Sequence, residues 1–183
     1  EHFLLTAIEL PMAEFGAMAE KIPCVIAIAA VIGTAMMQSG GGEQIVNWLL
    51  RKLGEERASV ALIISGFILS IPVFFDTVFF LLIPLGITLA LKTGKDFVLY
   101  VVAIGGGAAI SHSIVPPTPG PLIMAETFNI GLGNVIVAGI ITGIIPCIAV
   151  YFVAKVLNKK MHIPVMVTEQ HVASIQNPPA LVL

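Results

Sequence analysis

Charge is scarce in this sequence. Nine Lys or Arg and eleven Asp or Glu make up 11% of its 183 residues, against about a quarter in an ordinary soluble domain. The net charge is −2. With no basic arm and no aromatic-basic patch, nothing argues for a nucleic-acid partner. Cysteine is scarcer still. Cys24 and Cys147 stand alone in apolar runs, which reads as two reduced packing residues and not a disulfide frame. The histidines, His2, His112, His162 and His171, keep no ligand spacing with one another or with the cysteines, so no metal set is expected and no cofactor is called for. Apolar–polar alternation in segments of about 10 residues is missing, which excludes a transmembrane barrel. The chain opens EHFLLTAIEL, without an initiating Met or a signal-peptide pattern, and ends soon after its last apolar stretch. A piece of a longer protein is expected.

What remains is apolar. Hydrophobic residues make up 57% of the chain and mean hydropathy is +1.02. Successive apolar stretches approach the roughly 20 residues that a membrane span needs. The fold class is therefore an all-α integral membrane protein, with the lipid bilayer as its first partner.

Residues 1–21 mix apolar positions with Glu1, Glu9, Glu14, Glu20 and Lys21, and read as the end of an earlier helix or an interfacial segment. A transmembrane helix is expected over 22–37, ending at Gly40–Gly42. In 43–54, Ile45, Leu49 and Leu53 share one face, Arg51 and Lys52 occupy the last turn and Trp48 fits a headgroup-level anchor. That segment reads as an interfacial helix, with a packed connector as the alternative. A second full transmembrane helix is expected over 131–154, followed by a cytoplasmic tail over 155–183.

Two stretches are too long to cross once. Residues 58–91 hold about 34 residues with one charge, Asp76, and a straight helix of that length reaches roughly 50 Å against a core of about 30 Å. Pro72 and Asp76 lie near the middle, so the turn is expected at IPVFFDT, giving arms of about 18 and 15 residues. A re-entrant hairpin and two ordinary helices both fit. Residues 97–129 pose the same problem and carry SHSIVPPTPGP just past their middle. A broken transmembrane helix fits, with Pro116, Pro117, Pro119 and Pro121 as its break; a rigid turn outside the membrane is the alternative. On this topology Arg51, Lys52, Arg57, Lys92, Lys95, Lys155, Lys159 and Lys160 share one side, eight of the nine cations. That side is expected to be cytoplasmic.

Broken helices inside lipid expose backbone groups that only protein or a polar cavity can satisfy. Free N–H groups at the start of a second half-helix suit an anion, and free carbonyls at the end of a first half suit a cation. Ser111, Ser113 and Thr118 offer hydroxyls to a polyhydroxylated ligand, and Thr118 or Gly120 is available to cap a second half-helix that starts at Pro121. No Lys or Arg lies within 58–91 or 97–154 apart from the boundary position Lys92 just outside the first, so an anion would rely on helix N-termini, hydroxyls and His112. Two readings of His112 stand, a protonated ligand or a neutral ring bonded to a carbonyl. Asp76, followed by Thr77, is either an N-cap for the hairpin's second arm or a buried carboxylate that carries a proton. Gly105, Gly106 and Gly107 read as a close helix-packing seam.

MMQSGGGEQI, SIPVFFDTVFFLLIPLG and SHSIVPPTPGP together resemble the gluconate permease (GntP) family of proton symporters for gluconate and related sugar acids. The resemblance runs from about residue 15 to 160. It implies one repeat of an inverted-repeat anion transporter in which a re-entrant hairpin (58–91) and a broken helix (97–129) hold substrate between their tips. It further implies a cell (inner) membrane location and a secondary active transporter that is not an enzyme. Its partners would be a small anionic sugar acid, a proton (or sodium), and a missing second repeat or homo-oligomer partner. A sodium-coupled carboxylate carrier, or a truncated non-transporting fragment, is the alternative. On this reading Asp76, Thr77, Ser111, His112, Ser113, Thr118 and Gly120 form the substrate site, and Asp76 and His112 couple the proton. Asp76 stands where the family more often has Glu, and Thr118 where a second histidine is common, which leaves the sugar acid open.

Overall fold

The computed structural model describes residues 2–161 and 163. Seven α-helices and one short 3-10 turn account for the regular structure there: α1 (His2–Gln38), α2 (Gly41–Leu53), the turn Glu55–Arg57, α3 (Ala58–Leu69), α4 (Phe75–Thr93), α5 (Phe97–Ile114), α6 (Pro119–Thr127) and α7 (Leu132–Lys160). Among the described residues, three lengths are long and apolar enough to cross a membrane, Phe75–Thr93, Phe97–Thr127 taken through its break, and Leu132–Lys160; Pro23–Gln38 and Gly41–Leu53, bent by 64° at their junction, make a fourth if they are taken as one span.

Prolines do not all act alike. Pro11, Pro23, Pro84 and Pro146 sit inside continuous helices, because one missing N–H is tolerated where neighbouring groups in a membrane protein compensate. α1 accordingly runs unbroken through Pro11 and Pro23, and residues 2–21 belong to the same helix as 22–37, not to an earlier one. Pro72, Pro116 and Pro117 do follow helix ends, and Pro119 opens the next helix. A residue before proline disfavours the helical region, so α3 stops short of Ile71, and three prolines within four positions leave too few donors to continue α5. The hairpin arms are thus 12 and 19 residues, with the turn at Ser70–Phe74, in the first half of IPVFFDT; its last three residues, Phe75–Thr77, already belong to α4. The second half-helix starts at Pro119, so Pro121 lies in its first turn.

α5 is the central helix, and its three consecutive glycines explain how. Successive residues on a helix point about 100° apart, so each glycine receives a different neighbour. A Cβ on Gly105 would press on the Phe79 ring of α4 at 3.3 Å, one on Gly106 would strike Val150 of α7, and one on Gly107 the Ile63 carbonyl of α3. Gly66 returns the favour from α3, where a Cβ would lie 2.8 Å from the Ile104 carbonyl. Small residues let backbones approach where lipid supplies no hydrophobic drive between helices. The core is completed by Val46, Leu62, Leu69, Val78, Leu82 and Ile104.

Polar pairs gather at one end. The Lys92 ammonium pairs with the Glu55 carboxylate across the open end of the hairpin. Asn158 Nδ2 donates to Asp96 Oδ1 at 2.6 Å, and its Oδ1 accepts the Leu99 N–H at 3.2 Å, so the last turns of α7 cap the start of α5. Arg51, Lys52, Arg57, Lys95, Lys155, Lys159 and Lys160 belong to the helix ends and connections of this same region. The segment 43–54, expected as an interfacial helix or a packed connector, packs on the hairpin as α2. Gly42 sits against Leu69 and Leu81 beside the hairpin turn, while Gly54 adjoins Glu55 at the open end. α2 therefore runs the length of α3 with Val46 and Leu49 buried, leaving Trp48 on its outer face under Lys52. Residues 155–160 continue α7 as helix; beyond 161 and 163 the expected tail lies outside the described residues, as do His162 and His171.

Candidate functional site

The hairpin turn and the break in the next span meet. α3 and α5 run parallel: Glu55 and Tyr100 mark their shared start, and Ile71, Pro72 and Val73 lie with His112, Pro117 and Thr118 around one crevice at their ends. Ile26, Ala29 and Ala30 of α1 close its remaining side. A Cβ on Gly33 would strike the Pro72 carbonyl, so α1 crosses directly over the turn. The His112 and Phe74 rings meet edge-on with centroids 6.2 Å apart. The crevice measures about 20 Å³, room for roughly one water.

Unpaired polar atoms concentrate near it. Among the described residues, the hydroxyls of Ser65, Ser70 and Ser111 and the Nδ1 of His112 are buried without a hydrogen-bond partner. Buried polar groups are nearly always paired, so each such group invites a ligand, a water or a rearrangement. Ser70 ends α3 and Ser111 lies in the last turn of α5, where the final carbonyls of a helix are free.

The other expected site residues spread over two settings. Thr118 is buried and is the N-cap residue of α6, but its hydroxyl donates back to the Val115 carbonyl at 3.0 Å and does not cap the helix. Ser113 is exposed and donates to the Ala109 carbonyl one turn earlier, at 2.7 Å. Gly120 is exposed in the first turn of α6, with open space where a Cβ would stand. Asp76 is neither the N-cap of α4, which is Phe74, nor buried: it is exposed in the first turn beside Thr77, also exposed. A carboxylate there faces the positive end of the α4 dipole. His112, Pro72, Pro117 and Thr118 are brought together in the crevice; Asp76, Thr77, Ser113 and Gly120 stand outside it.

Two features had no clear signal in the chain. Phe74 reads as one aromatic among several in IPVFFDT until its ring meets His112. Glu43, in the first turn of α2, lines a cleft of about 240 Å³ with Asn47 and Thr88 at the level of the hairpin's second arm. Its position followed only from seeing α2 run along the hairpin.

A family model described as GntP family permease matches residues 6–182. An uncharacterized permease of Haemophilus influenzae is 36% identical over 147 residues, covering 80% of this chain and 30% of that protein. A gluconate permease of Pseudomonas aeruginosa is 32% identical over 130 residues, covering 71% and 29% respectively. The high-affinity gluconate transporter of Escherichia coli is 29% identical over 141 residues, covering 77% and 32%. The chain thus spans only 29–32% of the length of these relatives. No solved structure matches it.

Proposed function

Because this chain belongs to the GntP permease family, we propose that it forms one hairpin-and-broken-helix unit of a secondary active transporter that takes up gluconate or a related sugar acid by proton symport across the cytoplasmic (inner) membrane. The observation that carries this reading is the meeting of the hairpin turn and the helix break around His112. α3 has 12 residues, a reach of roughly 18 Å against a hydrocarbon core of about 30 Å. On that account the hairpin is read as re-entrant, its turn held at mid-membrane depth.

Two helices begin at this place, α4 after Phe74 and α6 after Thr118. Their free N–H groups and dipoles supply the positive potential for a carboxylate that no Lys or Arg supplies. Ser111 is the hydroxyl donor for the sugar chain, Ser113 and Thr118, whose hydrogens go to the Ala109 and Val115 carbonyls, offer it acceptor oxygens, and Thr77 and Gly120 stand beside the helix starts. Asp76 and His112 are the titratable groups on either side, and they are assigned the proton. A crevice of about 20 Å³ is far below the roughly 300 Å³ of a small-molecule site. The sugar acid is therefore assigned to the open side of these tips, closed by a second pair from the remainder of a whole permease or another copy, with an elevator or rocking motion switching access.

The test is initial-rate uptake of labelled gluconate by cells that lack their own gluconate carriers and express the reading frame encoding this chain, under an imposed proton gradient. His112→Ala and Asp76→Asn are each expected to abolish accumulation. Normal transport by both variants removes their assigned roles. Uptake that requires sodium and ignores the proton gradient replaces the reading with a sodium-coupled carboxylate carrier.

A further inference from the structure

One groove lies away from the tips. A groove of about 490 Å³ runs between α3 and α7, with Val60, Ile64 and Phe67 on one wall and Ile144, Ile148 and Tyr151 on the other. Its lining carries no charged side chain. Along α7 it extends from Ile140 to Phe152, roughly 18 Å at 1.5 Å per residue, close to the depth of one leaflet. Phe67 lies against Gly143, whose Cβ would fall 2.6 Å from that ring.

One end of the groove lies toward the basic helix ends. Arg57 stands one turn ahead of Val60, and Lys155 one turn beyond Tyr151, so both walls continue into cations. The Lys155 ammonium lies over the Tyr151 ring, 4.5 Å from its centroid, and Lys159 follows one turn later. Among the described residues, Arg57, Lys155 and Lys159 have no carboxylate partner. An apolar slot one leaflet deep that ends in unpaired cations matches one kind of occupant in both shape and charge.

We propose that this groove holds an acyl chain of an anionic phospholipid from the cytoplasmic leaflet, with the headgroup phosphate held by Lys155 and Lys159. Each such cation contributes about a fivefold preference for an anionic headgroup near the surface. The proposal concerns the lipid-facing side of the unit and stands apart from the sugar-acid reading, since neither needs the other.

The chain has a single tryptophan, Trp48 on α2, so the groove can be given its own reporter. In Trp48→Phe/Ile148→Trp, reconstituted in mixed vesicles, brominated phosphatidylglycerol is expected to quench the new tryptophan about fivefold or more strongly than brominated phosphatidylcholine. Adding Lys155→Gln and Lys159→Gln should bring the ratio close to one. Equal quenching by both lipids overturns the proposal, as does a preference that survives removal of the two lysines. Quenching by neither lipid also overturns it, and assigns the groove to a covering protein segment or a second copy. Should the reporter variant fail to give a monodisperse helical protein, native mass spectrometry of the unmodified chain replaces it. Retention of phosphatidylglycerol over phosphatidylcholine from an equimolar mixture is then expected, lost in Lys155→Gln/Lys159→Gln; equal retention overturns the proposal.

Discussion

The ring of His112 meets the ring of Phe74 edge-on, with centroids 6.2 Å apart, and through that contact the break in one span touches the turn of the hairpin. An aromatic pair of this kind contributes about 0.5–1.5 kcal/mol beyond its burial. Phe74 is itself 48% exposed, so its removal opens the crevice without emptying the core. Phe74→Ala is expected to leave expression and thermal stability nearly unchanged while raising the KM for gluconate several-fold. Concentration-dependent uptake checks this. An unchanged KM means the contact is packing alone.

Asp76 offers a sharper separation of fold from function. It is exposed, and among the described residues no hydrogen bond or ion pair holds it. Loss of its charge at the start of α4 should cost at most about 1 kcal/mol through the helix dipole. Asp76→Asn is therefore expected to melt within a few degrees of the parent in detergent and yet to lose gluconate accumulation at least tenfold. A large drop in melting temperature would make Asp76 a structural residue.

How much of this was legible beforehand differs from one element to the next. The two over-long apolar runs announced a hairpin and a break, because a rod of 33 or 34 residues does not fit a bilayer. The position of each break was less clear. Pro84 and Pro146 look locally much like Pro72, but their helices absorb them, and whether a helix absorbs a proline is decided by its neighbours. Asp76 was misplaced for the same reason, since the turn fell two residues earlier than its sequence suggested. The partnership of Asn158 with Asp96 joins positions 62 residues apart, and no local pattern records it. Gly105–Gly107 announced close packing, but not that each glycine would meet a different helix.

Those glycines carry a direct stability prediction. At Gly107 a Cβ would strike backbone of α3, which cannot swing aside as a side chain can. Overpacking of that kind costs typically about 1–3 kcal/mol. Gly107→Ala is expected to lower the melting temperature in detergent clearly, whereas Gly120→Ala, with open space around its Cβ position, should leave it almost unmoved. Equal effects at the two sites would contradict the packing of α5 on α3.

The Asn158 amide makes two contacts at once, donating to the Asp96 carboxylate and accepting the Leu99 N–H. Asp96 is the N-cap residue of α5 but makes no side-chain cap of its own, so an oxygen from α7 takes the place that a cap would fill. Asn158→Ala removes both contacts and leaves the Leu99 N–H to water, at an expected cost of about 1–2 kcal/mol. Asn158→Asp tests the assignment further: it keeps the acceptor for the Leu99 N–H but sets two carboxylates against each other at Asp96. It should therefore be at least as damaging at neutral pH and recover as the medium is acidified and one carboxyl takes a proton. The double variant Asn158→Asp/Asp96→Asn restores a donor and an acceptor in reversed order. Thermal melting of the parent, Asn158→Asp, Asp96→Asn and the double variant closes a double-mutant cycle, and a coupling of about 0.5 kcal/mol or more between positions 96 and 158 is expected. Strict additivity would mean that α7 is held to α5 by its glycines alone.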